Sequence, residues 1–170
     1  MLRNKLFFIG ILLILLFSCK SKIDTRILPD ITKEEISGAS LWKKITVESS
    51  YENYPMWPDH KGRQLGMSPH GRYHEVYINQ KLLESVPNKE RIAPYGSICV
   101  KKNFSAGNEL YSVAAMVKVK DYDPANGDWF WAMYTPEGKV NAEGKIPFCY
   151  NCHAGSNNDY ITIRKLDKPF

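Results

Sequence analysis

Residues 113–142, VAAMVKVKDYDPANGDWFWAMYTPEGKVNA, contain the pattern that says most about the fold. Over 113–120 Val113, Ala115, Val117 and Val119 occupy every second position, and a period of two predicts a strand. The turn cluster at 123–127 leads into the aromatic stretch 129–134, and a second turn leads into 139–142. Short strands that follow one another through tight turns predict an antiparallel meander.

Two further short strands are predicted upstream, at 76–79 and 97–101, which brings the expected sheet to about five strands. Thr32 and Glu35 have the spacing of a capping box and predict the start of a helix. The stretch 51–73 is rich in Pro, Gly, His and aromatic residues, shows no period, and predicts a long ordered loop. The expected fold class is therefore α+β, mainly β, with a few helices flanking the sheet.

The N-terminal residues have the form of an export signal. Arg3 and Lys5 precede an apolar run over 6–17, and the chain becomes polar directly after Cys19. The ending LFSC at 16–19 is similar to a bacterial lipobox, in which the cysteine is lipidated and becomes the first residue of the mature protein. The alternatives are an uncleaved membrane anchor and an ordinary signal peptide in which Cys19 has no role.

The expected organisation is a lipoprotein signal peptide over 1–18, a polar tether over 19–31 and one domain over 32–170. Such a protein is exported to the periplasmic face of a bacterial membrane, and Lys20 directly after Cys19 favours the outer membrane. Without the signal peptide the net charge falls from +5 to +3, because that segment holds two basic residues and no acid. The sequence has no basic stripe, so nucleic acid is not an expected partner.

The motif that carries chemistry is Cys149-Tyr150-Asn151-Cys152-His153, the CxxCH signature of covalent haem c attachment. Two thiols separated by two residues lie on one helical turn, and each forms a thioether with a haem vinyl group. His153 follows as the proximal ligand of the iron. We therefore expect one covalent haem c, carried by a C-terminal haem-attachment helix.

Other interpretations of the same cysteines stay open at this point. Cys149 and Cys152 are also compatible with a redox dithiol, with a structural disulfide, or with half of a zinc site completed by Cys99 and a histidine.

Two alternatives exist for the sixth coordination position of the iron. Either a side chain from earlier in the sequence binds there, or the position is open for a small molecule, and we expect it to be open. The upstream candidates are Met67, His60, His70, His74, Met116 and Met133.

Several segments, taken in order, resemble the cytochrome P-460 family, which includes the β-sheet cytochromes c′ (cytochrome c′-beta). The resemblance extends over about residues 38–160 and ends on the CxxCH motif. The segments that carry it are Trp57-Pro58-Asp59-His60-Lys61-Gly62, Ser68-Pro69-His70-Gly71, His74 to Asn79, Gly127-Asp128-Trp129-Phe130-Trp131 and Cys149 to His153.

This resemblance implies a five-stranded antiparallel sheet, usually in a homodimer, and a five-coordinate haem with His153 as proximal ligand. Some members of the family oxidise hydroxylamine, using a lysine cross-linked to the haem edge and a distal carboxylate. Others lack the cross-link and bind nitric oxide or carbon monoxide in an apolar pocket. The expected partners are therefore a small nitrogen compound, an unidentified redox protein and, through the lipid, a membrane.

The catalytic alternative needs an acid and a lysine near the haem. Glu143 is the candidate catalytic acid, because only a short turn-like segment separates it from the haem motif, and Glu75 is a weaker candidate. No lysine occurs between Lys61 and Lys81, and Lys81 follows the strand, so the sequence places no lysine beside the haem. An oxidoreductase and a non-catalytic protein that binds gases or transfers electrons both stay open.

Overall fold

The computed structural model describes residues 30–170, so the expected signal peptide, Cys19 and nearly all of the tether lie outside the described residues. Six antiparallel strands follow one another in chain order within a single sheet, with a few short helices beside it. The predicted class, α+β and mainly β, is confirmed. No helix in this part of the chain is long and apolar enough to cross a membrane.

The strands are β1 (Gln64–Leu65), β2 (Tyr73–Ile78), β3 (Ile98–Phe104), β4 (Leu110–Lys118), β5 (Trp129–Tyr134) and β6 (Val140–Gly144). The five predicted strands are all present, and β1 is the addition. It lies inside the stretch predicted to be a loop, and pairs with the edge of β2 at Gln64–His74 and Leu65–Tyr73. A strand of two residues is too short to show an alternating pattern, so the sequence gives no sign of it.

The helices are α1 (Gly38–Lys43), which continues as a π-helical turn at Lys44–Glu48, α2 (Gln80–Glu84) and α3 (Pro147–Ala154). The predicted N-terminal helix exists, but it begins at Gly38 and not at Thr32. The hydroxyl of Thr32 does donate to the Glu35 carboxylate at 2.9 Å, but this pair closes a separate turn. Ser37 and Ser40 form the capping box of α1 instead.

One face of the sheet packs against α1. Leu41 and Ile45 of the helical segment are fully buried against a cluster that includes Val113, Phe130 and Tyr134. The hydroxyl of Tyr134 donates to the carbonyl oxygen of Gly38 at 2.9 Å and ties the two layers together. Helix α1 therefore covers this face of the sheet, and the opposite face is covered by other parts of the chain.

The other face of the sheet is covered by α3, by the loop before β1 and by the C-terminal segment. Its apolar cluster includes Trp57, Val76, Met116, Trp131 and Leu166. Neighbouring residues of a strand point to opposite faces, so this second cluster shares the strands of the first without sharing its side chains. A pocket lies within this second layer.

Candidate haem site

Helix α3 brings together the three residues of the predicted attachment motif. Pro147 lies in its first turn, where a missing N–H costs nothing. Residues three and four positions apart lie on the same face of a helix, so Cys149, Cys152 and His153 share one direction. All three line the same pocket, and both cysteines are free thiols.

The imidazole of His153 is held in one orientation. Its Nδ1 donates to the carbonyl oxygen of Tyr160 at 2.8 Å, and its ring packs edge-on against Trp131 with 4.9 Å between centroids. Burial lowers the pKa of His153 below its ordinary value, which favours the neutral ring. A neutral ring that donates from Nδ1 keeps a lone pair on Nε2, which is the atom that can bind a metal.

The floor of the pocket consists of two cross-strand rows on the second face of the sheet. One row contains Cys99, Met116 and Trp131, and the other contains Val76, Lys101, Ala114 and Met133. Further apolar side chains close the sides, among them Trp57, Phe148, Ile161 and Ile163. An apolar floor beside two thiols and one imidazole matches what a covalently attached haem c requires from its protein.

Lys101 is the pocket residue that the sequence did not reveal. It lies between Val76 and Ala114 in the register of the sheet, and burial lowers its pKa from 10.5 to about 8. Among residues 30–170 no carboxylate pairs with its amine. The sequence did contain the signal, since Cys99 and Lys101 are two residues apart in a predicted strand and therefore share a face.

Residues 49–163 match the family described as Cytochrome P460, and this match extends over more than half of the chain. The chain belongs to the cytochrome P460 family. It is a c-type haem cytochrome, and the single CxxCH motif fits one covalent haem c. No curated protein matches the chain significantly. Family membership favours haem attachment over the other interpretations of the cysteine pair.

Glu143 of this cytochrome lies outside the pocket. It lies on β6 opposite Ala132 of β5 and faces α1, where its Oε2 accepts a hydrogen bond from the backbone N–H of Gly38 at 2.8 Å. The alternation of side chains along β6 directs it away from the haem pocket. The expectation that Glu143 folds over the iron is therefore wrong. Its carboxylate instead binds the N-terminus of α1, where the helix dipole favours negative charge.

Glu75, the weaker candidate, is also engaged elsewhere. Its Oε1 accepts from the guanidinium of Arg63 at 3.0 Å, and its Oε2 accepts from the hydroxyl of Tyr77 at 3.0 Å. Neither carboxylate that the sequence offered as a distal acid reaches the pocket. Lys81, as expected for a surface charge, pairs with Asp30 at 2.8 Å.

Replacement of Glu143 by Gln is expected to leave the absorption spectrum of the haem protein unchanged and to lower its free energy of unfolding by about 0.3–1 kcal/mol. The amide keeps an acceptor for the Gly38 N–H but loses the charge that the helix dipole favours. Urea unfolding and a spectrum of the same preparation check this, with Glu34→Gln on the exposed surface as control. A changed spectrum at unchanged stability would contradict this placement and would show that the Glu143 side chain lies in the haem pocket.

The histidines divide into two groups. His70 lines the pocket with its ring centroid 6.1 Å from that of His153, and burial lowers the pKa of His70 to about 3. His60 and His74 lie outside the pocket and contact each other, with 3.1 Å between their Nε2 atoms.

The methionines that were candidate ligands also differ in position. Met116 and Met133 line the pocket, whereas Met67 is 84% exposed outside it.

Proposed function

We propose that this cytochrome is an exported lipoprotein whose single haem binds a small nitrogen compound, hydroxylamine or nitric oxide, at an open face of the iron. Cys149 and Cys152 would hold the haem through thioethers, and His153 would be its proximal ligand. The observation that carries this proposal is that two free thiols and an available Nε2 lone pair meet at one apolar pocket.

When bound, the haem supplies an iron that exchanges single electrons and binds small nitrogen ligands. The residues of the chain prepare its surroundings. The donation from His153 Nδ1 to Tyr160 orients the imidazole and makes Nε2 a stronger ligand. The apolar side chains that line the pocket, such as Trp57, Val76 and Met116, exclude water from the space beside the cofactor and strengthen the electrostatic interactions there.

Lys101 supports the oxidation of hydroxylamine as the activity. Members of the family with that activity use a lysine joined to the haem edge, and Lys101 places an amine on the pocket floor. Because burial lowers its pKa to about 8, a larger share of this amine is neutral near pH 7 than for an exposed lysine. Only a neutral amine has the lone pair that such a bond needs.

A non-catalytic role, in which the haem binds nitric oxide or transfers electrons, is the second candidate. Oxidation of hydroxylamine releases protons, and a positioned base would have to accept them. Apart from Lys101, the pocket residues of the described chain offer no such base, because they include no Asp or Glu and a pKa of about 3 makes His70 a poor base. This composition favours ligand binding without turnover.

Location and assembly are part of the same proposal. The export signal over 1–18 and the lipobox at Cys19 support a lipid-anchored protein on the periplasmic side, at the outer membrane. The resemblance to the family supports a homodimer. A redox protein partner is expected if the haem exchanges electrons.

The test is an absorption spectrum of protein matured together with the c-haem assembly machinery, recorded natively and after denaturation. Covalent haem with a five-coordinate native spectrum and no hydroxylamine turnover would support the binding role. A strongly red-shifted native band with turnover would support the oxidising role. A six-coordinate spectrum would exclude the open face and direct attention to His70, and denatured protein without covalent haem would refute the proposal.

A further inference from the structure

The loop after α3 holds the acceptor of the His153 hydrogen bond in a strained backbone conformation. Asn157, Asp159 and Tyr160 have φ angles of 47°, 49° and 65°. Residues other than glycine rarely adopt these left-handed values, and they persist only where the surroundings enforce them. This constraint matters most at Tyr160, because its carbonyl oxygen accepts the hydrogen bond from the Nδ1–H of His153.

The carboxylate of Asp159 is fixed by donors from three separate parts of the chain. Its Oδ2 accepts from the Nζ of Lys118, at the end of β4, and from the backbone N–H of Ala93 at 2.8 Å. The Nε1–H of Trp129, the first residue of β5, donates to the Asp159 carbonyl oxygen at 3.0 Å and lies 3.4 Å from its Oδ1. These contacts connect the loop to the rigid sheet.

The ion pair between Lys118 and Asp159 is shielded from water. Their side chains are 6% and 7% exposed. Lys118 is directly opposite Trp129 in the register of β4 and β5, so two of the donors to Asp159 come from one cross-strand pair. A buried charge-assisted hydrogen bond is stronger than a surface one, because water does not compete for either partner.

The residue between the strained positions anchors the same loop from its other side. The side-chain amide of Asn158 donates to the carbonyl oxygens of Ile161 at 2.8 Å and Arg164 at 2.6 Å, and its oxygen accepts from the backbone N–H of Leu166 at 2.8 Å. The loop is thus held by Asp159 towards the sheet and by Asn158 towards the C-terminal segment. Tyr160 has little freedom between them.

We propose that Lys118, Trp129 and Asp159 act together as positioning residues, which hold the Tyr160 carbonyl against His153 and thereby set the electron donation from the imidazole to the iron. None of the three lines the haem pocket. This inference rests on the proposed role of His153. A carbonyl that accepts from Nδ1–H raises the basicity of Nε2, and a more basic axial ligand favours ferric iron and lowers the reduction potential.

The test compares Asp159→Asn and Trp129→Phe with the parent haem protein. Asp159→Asn removes the charge that pairs with Lys118, and Trp129→Phe removes one donor while it keeps a buried aromatic ring. Both variants are expected to raise the reduction potential, by up to about a tenfold change in the redox equilibrium, or ~59 mV for one electron. The iron–imidazole stretching frequency of the ferrous protein, measured by resonance Raman spectroscopy, is expected to fall.

Asp167→Asn is the matched control. Asp167 lies in the C-terminal segment that packs beside this loop, and its carboxylate pairs with Arg91 at 2.6 Å and not with Lys118 or Trp129. This variant is expected to keep the parent potential and stretching frequency even if it unfolds more easily.

The outcomes separate this inference from the proposed function. Parent protein without covalent haem would refute both. Parent protein with haem, together with variants that lose stability but keep the potential and the iron–imidazole frequency, would refute the positioning role alone. Trp129→Phe decides the question if Asp159→Asn, which leaves Lys118 buried without its partner, does not accumulate.

Discussion

The cytochrome carrying Cys149→Ser together with Cys152→Ser is expected to retain no covalent haem. Serine is nearly isosteric with cysteine, but its hydroxyl does not add to a haem vinyl group to form a stable link. Each single variant keeps one thiol and is expected to give haem attached through one thioether, at a lower yield. Extraction with acidified organic solvent measures the effect, because it removes haem that is held only by the iron ligand.

Cys99 provides the matched control for this experiment. It lies on the floor of the same pocket, and burial raises the pKa of its thiol to about 12, so it stays protonated and unreactive. Cys99→Ser is therefore expected to keep the haem covalently attached. If the double serine variant retained covalent haem, the thioether assignment would be wrong.

In protein whose Lys101 amine is not bonded to the haem, replacement of Lys101 by Met is expected to stabilise the fold at pH 7 by about 1–3 kcal/mol while removing any function that needs the pocket amine. The lysine is buried among apolar side chains, and burial lowers its pKa from 10.5 to about 8. A lowered pKa means that the charged amine is less stable in the folded protein than in the unfolded chain. Methionine fills a similar volume and has no charge to desolvate.

The pH dependence follows from the same shift. Between pH 8 and pH 10.5 the unfolded chain binds a proton at Lys101 that the folded protein does not, so the parent gains stability as the pH rises through this range. The advantage of Lys101→Met is therefore complete below about pH 8 and disappears towards pH 10.5. Urea unfolding at pH 7, 8.5 and 9.5 checks this. An advantage that did not shrink with rising pH would show that packing, and not desolvation of the amine, is responsible.

Lys102 is the control for Lys101, because it is the next residue on the same strand and points to the other face. Its Nζ pairs with Glu52 at 2.7 Å, and this hydrogen bond helps to raise its pKa against the opposing effect of burial. Lys102→Met is expected to leave the spectrum unchanged and to give no gain in stability. A red-shifted band that is lost in Lys101→Met and kept in Lys102→Met would identify Lys101 as the lysine attached to the haem.

The sequence alone predicted most of the sheet and the attachment motif. The strands around Val113 and Trp129 are visible because the side chains of a half-buried strand alternate between two environments. Cys149, Cys152 and His153 are recognisable because thioether chemistry needs a fixed local spacing, and the helix that carries them keeps that spacing. These features depend on residues close together in the chain.

Features that depend on distant residues were not predictable. The start of α1 at Gly38 depends on Ser37 and on a carboxylate 105 residues further along the chain, Glu143, so the local capping pattern at Thr32 was misleading. The alternation in the sequence showed that Glu143 and its neighbours lie on different faces, but not which face would hold the haem. The face that holds the haem is the one that α1 does not cover, and this is a feature of the tertiary structure.

Local patterns in the chain are thus enough to identify a β-sheet protein with one attachment motif for haem. Which residues meet at that motif depends on the tertiary structure. In the folded protein Lys101 lies on the pocket floor, Glu143 binds a helix terminus outside the pocket, and the Tyr160 carbonyl accepts a hydrogen bond from His153. The physical reason is that the spacing of a motif is local, whereas the register of the strands and the side that each helix covers are set by burial of the whole sheet.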